Sequence, residues 1–127
     1  MDKRPTLYVL VRTDIDSMNS GKMAAQVSHA TSILHEDFRG TDDFSDWSSE
    51  TEDGYGTVIV IDGGTINNIL EIVHYYEERL RIAGVVTDPT YSLRDGEFTH
   101  TFPLQTCAFV LLDDKDELGP ISKLKLL

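Results

Sequence analysis

The sequence predicts an α/β protein: a three-layer α/β/α arrangement with a mixed sheet of about four strands and helices on both faces. Apolar, β-branched runs recur along the chain, which is typical of buried strands. Segments with apolar residues at helical spacing separate these runs, and the resulting order is β-α-β-α-β-β. Helices that alternate with strands cover both faces of a sheet, so this order predicts the layered fold. With 127 residues, we expect a single domain over residues 1–127.

In the first half of the chain, residues 6–11 are apolar and β-branched and predict a buried central strand. A helix is predicted over residues 20–35, with Asn19 or Ser20 available as its N-cap. Residues 37–55 are polar and rich in Ser, Gly and Thr, which predicts a long loop. Trp47 is the large anchor of this loop, and it either pins the loop to the core or stacks on a base.

The second half begins with a buried strand predicted over residues 57–62, after which Gly63 and Gly64 turn the chain. A helix follows and is predicted to end at Gly84. Its apolar stripe is Ile66, Ile69, Leu70, Val73 and Leu80.

Two further strands complete the predicted sheet. A short strand over residues 85–87 ends at Asp88, and Pro89 keeps that aspartate in an extended conformation. The last strand covers residues 106–112 and leads to a tail that closes on LKLL at residues 124–127.

The acidic composition argues against a protein that binds nucleic acid mainly through basic residues. The chain has 22 acidic and 11 basic residues, a net charge of −11. We interpret residues 36–53 as a solvated acidic loop, because one arginine there opposes eight acids. Several basic residues are available for another face: Lys22, Arg12, Arg94, Lys123 and Lys125.

Cysteine usage and hydropathy predict a cytoplasmic protein. No apolar run approaches the roughly 20 residues that cross a bilayer, and the start of the chain is charged, unlike a secretory signal peptide. Cys107 is the single cysteine, which suits a reducing compartment, and its apolar strand predicts a packed, inert thiol. The four histidines are scattered, so no metal site and no cofactor are predicted.

The first helix carries an unusual polar face. Lys22, Gln26 and His29 lie at positions i, i+4 and i+7, so they point to one side, near the carboxyl end of the first strand. In open α/β sheets, ligands bind at that end. The predicted buried side consists of Met23, Val27, Ala30 and Leu34.

The segment that carries this face reads GKMAAQVSHA and follows a strand ending in RTD. It resembles the signature of the type 2 peptidyl-tRNA hydrolases, which is approximately GK-x-AAQ-x-x-HA. Trp47, Asp88 at the end of a strand and the closing LKLL occur in the family's order, so the resemblance runs from about residue 7 to the last residue. It implies hydrolysis of the ester that joins a peptide to tRNA.

The resemblance also implies roles for individual residues. The implied catalytic set is Lys22, Asp88, Ser92 and Thr106. Asp88 would orient or deprotonate a water, with its pKa raised by burial, and Lys22 would stabilise the oxyanion. The predicted contacts with peptidyl-tRNA are Gln26 and His29 of the signature, together with the cations Arg12, Arg94 and Lys123.

One segment departs from the family pattern, in which alanine, glycine and arginine follow the aspartate. Here residues 88–93 read DPTYSL, so the loop is bulkier and lacks that arginine. An alternative function therefore stays open: a weakened or inactive member that binds a basic protein or imitates nucleic acid through residues 36–53. Formation of a homodimer is also left open.

Overall fold

The computed structural model describes residues 4–127 and contains a mixed four-stranded sheet with helices on both faces, which confirms the predicted fold class. Its strands follow the spatial order β2-β1-β4-β3, with β1 and β2 parallel and the other pairs antiparallel. Strand bounds are β1 Thr6–Arg12, β2 Thr57–Gly64, β3 Ile82–Asp95 and β4 Phe98–Leu112.

Three α-helices and one 3₁₀-helix accompany the sheet: α1 Ser20–Phe38, α2 Asp42–Ser48, α3 Ile66–Glu78 and the 3₁₀-helix Gly119–Lys123. Helix α1 begins where predicted, because the Asn19 side chain accepts a hydrogen bond from the Lys22 N–H at 3.0 Å. It ends at Phe38, nearly one turn later than predicted. Between residues 4 and 127, no helix combines the length and apolar character needed to cross a membrane.

The core has two parts, one on each face of the sheet. Side chains alternate along β1, so Leu7, Val9 and Val11 pack under α1 and α2. Leu10 points to the opposite face, where α3 and the 3₁₀-helix cover the sheet. Strand β1 is therefore buried on both faces, which explains why its sequence is continuously apolar.

The loop predicted over residues 37–55 is wrong, because residues 42–48 form α2. The Thr41 hydroxyl accepts a hydrogen bond from the Phe44 N–H at 3.2 Å and caps this helix. Trp47 is 1% exposed, and its Nε1 donates to the Thr57 carbonyl at 2.8 Å. Of the two roles considered for Trp47, the structure therefore shows the anchor to the core. The segment was predicted as a loop because it is mostly acidic and polar. Its helical signal consists of only two buried aromatic residues, Phe44 and Trp47, spaced i, i+3.

The end of α3 also differs from the prediction. The helix ends at Glu78, and Leu80 adopts a positive φ of 59° while it is 86% exposed. The Arg81 N–H donates to the Tyr76 carbonyl, so the helix is closed by a left-handed residue that is not glycine. Gly84 lies in β3, where a Cβ would come within 2.9 Å of the Phe109 ring.

Part of the predicted stripe of α3 is exposed to solvent. Leu70 and Leu80 lie on the surface, and the buried positions of the helix are Ile69, Ile72, Val73 and Tyr76. The prediction extended the buried stripe too far around the helix surface. Apolar residues occur on both faces of α3, and only packing against the sheet shows which of them are buried.

Strands β3 and β4 are much longer than the predicted segments 85–87 and 106–112. They pair with each other as far as Asp95 and Phe98, whereas β1 pairs with β4 only as far as Cys107. The hairpin therefore projects beyond the rest of the sheet. Its two prolines, Pro89 and Pro103, lie at the register shift between Asp88 and Tyr91, outside the paired positions of the two strands.

Candidate active site

The candidate site lies at the carboxyl ends of β1, β2 and β3, which all run in the same direction. Helix α1 begins at this end, so it presents its amino terminus to the end of the sheet. The Lys22 ammonium donates to the Ser92 carbonyl of β3, and Gln26, one turn further along α1, contacts Asp88. Lys22 and Asp88 therefore lie at the same end of the sheet.

Three buried polar side chains form a chain of hydrogen bonds across the site. Gln26 Nε2 donates to Asp88 Oδ2 at 2.7 Å, and the Thr106 hydroxyl donates to Gln26 Oε1 at 2.6 Å. An ionised carboxylate only accepts hydrogen bonds, so it fixes the orientation of the Gln26 amide. That orientation in turn requires the Thr106 hydroxyl to act as donor. The carboxylate is thus held from α1 and β4 together.

The sequence predicted that Gln26 lies on an exposed face of α1, but in the structure this residue is buried. The buried positions of this helix are Gln26, Ala30 and Leu34, spaced i, i+4 and i+8. A buried amide is tolerated because Asp88 and Thr106 satisfy both of its ends. The prediction that these residues lie on a helix was correct, but the sequence alone could not show that Asp88 and Thr106 of the sheet face Gln26.

The second oxygen of Asp88 is held by Thr90, which the sequence reasoning missed. Asp88 Oδ1 accepts from the Thr90 N–H at 2.9 Å and lies 3.4 Å from its hydroxyl. The spacing of an aspartate and an N–H two residues later is typical of an Asx turn, and this signal was present in the sequence. The predicted hydroxyl, that of Ser92, instead donates to the Thr90 carbonyl at 3.3 Å.

His29 lies at the solvent side of the carboxylate. Its Nε2 is 3.8 Å from Asp88 Oδ2, and its side chain is 49% exposed. The predicted polar face of α1 is therefore divided by depth. Gln26 is buried against Asp88, whereas His29 and the half-buried Lys22 border the opening of the site.

Hydrogen bonding decides the ionisation of Asp88. Burial by itself raises the pKa of this carboxyl, but the hydrogen bonds from Gln26 and Thr90 outweigh burial. Together with the electrostatic effect of the nearby His29, they hold the pKa of Asp88 below the ordinary 3.8. The predicted upward shift is therefore wrong, and Asp88 is an ionised carboxylate at neutral pH.

This ionisation predicts how stability depends on pH. Because the pKa of Asp88 is lower in the folded than in the unfolded chain, the carboxylate stabilises the fold above about pH 3.8. That contribution is lost as the pH falls through the folded-state pKa. We expect the stability difference between the native chain and Asp88→Asn to be larger at pH 7 than at pH 3, as measured by urea unfolding. An equal difference at both pH values would contradict a lowered pKa.

Tyr91 supports Lys22 and was also missed. The Lys22 ammonium lies 4.7 Å from the centroid of the buried Tyr91 ring, a cation–π distance. The Tyr91 hydroxyl shares a hydrogen bond of 2.7 Å with Ser17, in the loop that precedes α1. The bulky residue that departs from the family pattern therefore fills the space beneath the lysine.

The other predicted substrate contacts are not gathered at this site. Arg12 forms two hydrogen bonds of 3.0 Å with Asp14 and one of 3.1 Å with the Gln105 carbonyl, so its guanidinium is committed to the fold. Arg94 is exposed on the projecting hairpin. Lys123 lies in the 3₁₀-helix on the α3 side of the sheet, away from α1. Sequence alone could not separate these cations, because they reach different faces through tertiary packing.

The acidic segment lies away from the site, and Cys107 packs against the site as an unreactive thiol whose Sγ lies 3.6 Å from the Gln26 carbonyl. Helix α1 has 19 residues and is about 28 Å long. Helix α2 follows its carboxyl end and therefore lies near the amino-terminal ends of β1 and β2, away from the site. Burial raises the pKa of the Cys107 thiol to about 12, which keeps it protonated and unreactive at neutral pH. Over the described residues 4–127, no group of three or more His, Cys, Asp or Glu side chains is arranged to hold a metal ion.

Comparison with known protein families agrees with this geometry. The family model described as peptidyl-tRNA hydrolase PTH2 matches residues 6–123, nearly the whole of the 127-residue chain. A search of curated proteins finds no significant match. The matched range includes every strand, every α-helix and all of the side chains described above. The chain therefore belongs to the peptidyl-tRNA hydrolase PTH2 family.

Proposed function

We propose that this protein hydrolyses peptidyl-tRNA: it cleaves the ester between a peptide, or an N-blocked amino acid, and the 3′-terminal ribose of tRNA. Water is the attacking group, and the reaction uses no metal. Membership of a family that acts on peptidyl-tRNA supports the general reaction. The observation that carries the proposal for this chain is the ionised Asp88, fixed by Gln26 and Thr90 one helical turn from Lys22.

In this proposal, Asp88 accepts a hydrogen bond from the attacking water and orients it. The water oxygen adds to the ester carbonyl carbon, and the bond to the ribose oxygen then breaks. The proton of the water passes to the ribose oxygen, which leaves as a hydroxyl, so a free carboxyl and a free tRNA end result. A carboxylate with a lowered pKa is a weak base, so its main contribution is orientation and electrostatics.

Lys22 stabilises the oxyanion that forms on the carbonyl oxygen. It is the third residue of α1, so its ammonium acts together with the positive end of the helix dipole. Thr106 is fully buried and works as a positioning residue through Gln26. Ser92 contributes its carbonyl, which holds the Lys22 ammonium in the absence of substrate.

Exposed groups around the opening contact the tRNA. His29 borders the carboxylate at this opening, whereas Arg94 lies on the reverse face of the projecting hairpin and is not among these groups. Separation of the acidic segment from this end of the sheet keeps eight of the 22 acidic residues away from the substrate. We propose that the protein acts in the cytoplasm, where translation supplies peptidyl-tRNA, and that it acts as one domain.

The proposal is tested by release of N-blocked amino acid from a blocked aminoacyl-tRNA. We expect turnover by the native chain, and a loss of about 10²-fold in kcat for Lys22→Met, because one oxyanion-stabilising group is removed. Lys115→Met is the matched control, since Lys115 is exposed in the turn after β4. If the native chain shows no turnover at concentrations comparable to substrate, the hydrolase proposal is wrong and the binding-module alternative takes its place.

A further inference from the structure

The projecting part of the β3–β4 hairpin presents an aromatic face. Antiparallel partners share a face, and alternate residues of a strand point the same way. Phe98, His100 and Phe102 of β4 therefore lie on one face, opposite Asp95, Leu93 and Tyr91 of β3. The Phe98 residue is 72% exposed, and the His100 side chain is 61% exposed. Phe98 adds nothing to the core, and together with His100 and Phe102 it makes this face an exposed aromatic patch of the kind that marks binding surfaces.

This face is continuous with the candidate active site. Phe102 is paired with Tyr91, and their ring centroids are 6.0 Å apart. The Tyr91 ring lies beneath the Lys22 ammonium. The aromatic residues thus lead from Lys22 through Tyr91 and Phe102 outward to Phe98, and Phe102 and Phe98 are about 13 Å apart along four residues of extended strand. A molecule bound along this face has one end at the place where the ester is cleaved.

We propose that this aromatic face binds the unpaired 3′ end of tRNA by stacking its bases on Phe98, His100 and Phe102. The inference rests on the proposed function, because it takes the substrate to be peptidyl-tRNA. Side chains two apart on a strand are roughly 7 Å from each other, which is about twice the 3.4 Å repeat of stacked bases. One base therefore fits between successive rings, and every base offers a π-face for such contacts.

Charge favours stacking as the source of affinity. The protein has a net charge of −11, and the hairpin carries Asp95 and Glu97 beside Arg94. Phosphate contacts are therefore few, whereas stacking on aromatic rings does not depend on basic residues. Bases near the end of a single strand are free to be splayed onto a protein surface, unlike those in the paired stem. We expect binding of this end to weaken only slightly when salt is raised from 50 to 200 mM.

The test measures binding of a fluorescent single-stranded RNA ending in CCA, and kinetics with blocked aminoacyl-tRNA. Phe98→Ala should weaken RNA binding and raise KM about tenfold, with kcat changed less than about twofold. Phe98→Trp should restore both, since it retains a stacking ring. The matched control is Thr99→Ala, because Thr99 pairs with Arg94 on the reverse face of the hairpin. Circular dichroism and thermal unfolding verify that each variant folds.

The outcomes separate this inference from the hydrolase proposal. RNA binding that depends on Phe98 without turnover supports the stacking face and overturns the hydrolase. Turnover with KM and RNA binding unchanged in Phe98→Ala overturns the stacking face and leaves the hydrolase intact. If Phe98→Ala instead converts a dimer to a monomer in light scattering, with unchanged RNA binding, the face is an interface between two copies and the inference is wrong.

Discussion

Replacing Asp88 with asparagine is expected to lower kcat for peptidyl-tRNA hydrolysis about 10³-fold. The substitution preserves the size of the side chain and an oxygen that can accept from the Thr90 N–H. It removes the negative charge that orients the attacking water in the proposed mechanism. It also places an amide N–H₂ opposite the Gln26 Nε2 donor, unless one of the two amides turns over. The measurement is single-turnover release of N-blocked amino acid at saturating enzyme.

A matched control for this variant is Asp46→Asn, which makes the same change at an exposed position of α2. Asp46 lies toward the edge of the sheet opposite the candidate site, so its variant should retain the native rate. Unfolding curves at pH 7 determine whether Asp88→Asn remains folded under assay conditions. A folded Asp88→Asn protein with native kcat would show that the carboxylate takes no part in the reaction.

The largest effect on stability is expected from Trp47→Ala. Its indole is fully enclosed between Phe44 of α2, His35 of α1 and the start of β2, and truncation leaves a cavity there. Phe or Trp to Ala changes in cores cost about 3–5 kcal/mol, a large share of the 5–15 kcal/mol that holds a domain together. We expect urea unfolding to show a loss of this size.

A second variant separates packing from hydrogen bonding at this position. Trp47→Phe retains most of the ring but leaves the Thr57 carbonyl without its donor, which should cost about 1–3 kcal/mol. Wherever both variants remain folded, kcat should equal that of the native protein, since α2 lies far from Lys22. Native stability of Trp47→Ala would mean that the acidic segment is not anchored through this residue.

The predictable part of the fold lies where local pattern and packing agree. Strand β1 is buried on both faces and reads as a continuous apolar run, and the Asn19 cap fixes the start of α1. The elements that were mispredicted are those where polar composition hides a few tertiary anchors. Helix α2 depends on Phe44 and Trp47, and the outer part of the β3–β4 hairpin is stabilised by cross-strand pairing that sequence periodicity does not reveal.

The site was predictable to the extent that topology alone defines it. Parallel strands have their carboxyl ends at the same end of the sheet. The amino terminus of α1 lies at that end too, so Lys22 and Asp88 are close together. Thr90 was readable from its spacing to Asp88. The cation–π contact between Lys22 and Tyr91 could not be predicted from the sequence, because it depends on how the Tyr91 ring packs between β3 and the loop before α1.

By itself, the sequence determined the α/β class and the resemblance to the family, because both depend on the order and spacing of residues along one chain. That Lys22 and Asp88 belong to one site was implied by the resemblance, and the structure places both at the same end of the sheet. Only the tertiary structure decided that Gln26 is buried and that Asp88 is ionised. The pKa of a carboxyl depends on the balance between desolvation and the hydrogen bonds it accepts, and those donors come from α1 and from the turn that follows. Folding alone brings them to the same oxygen atoms.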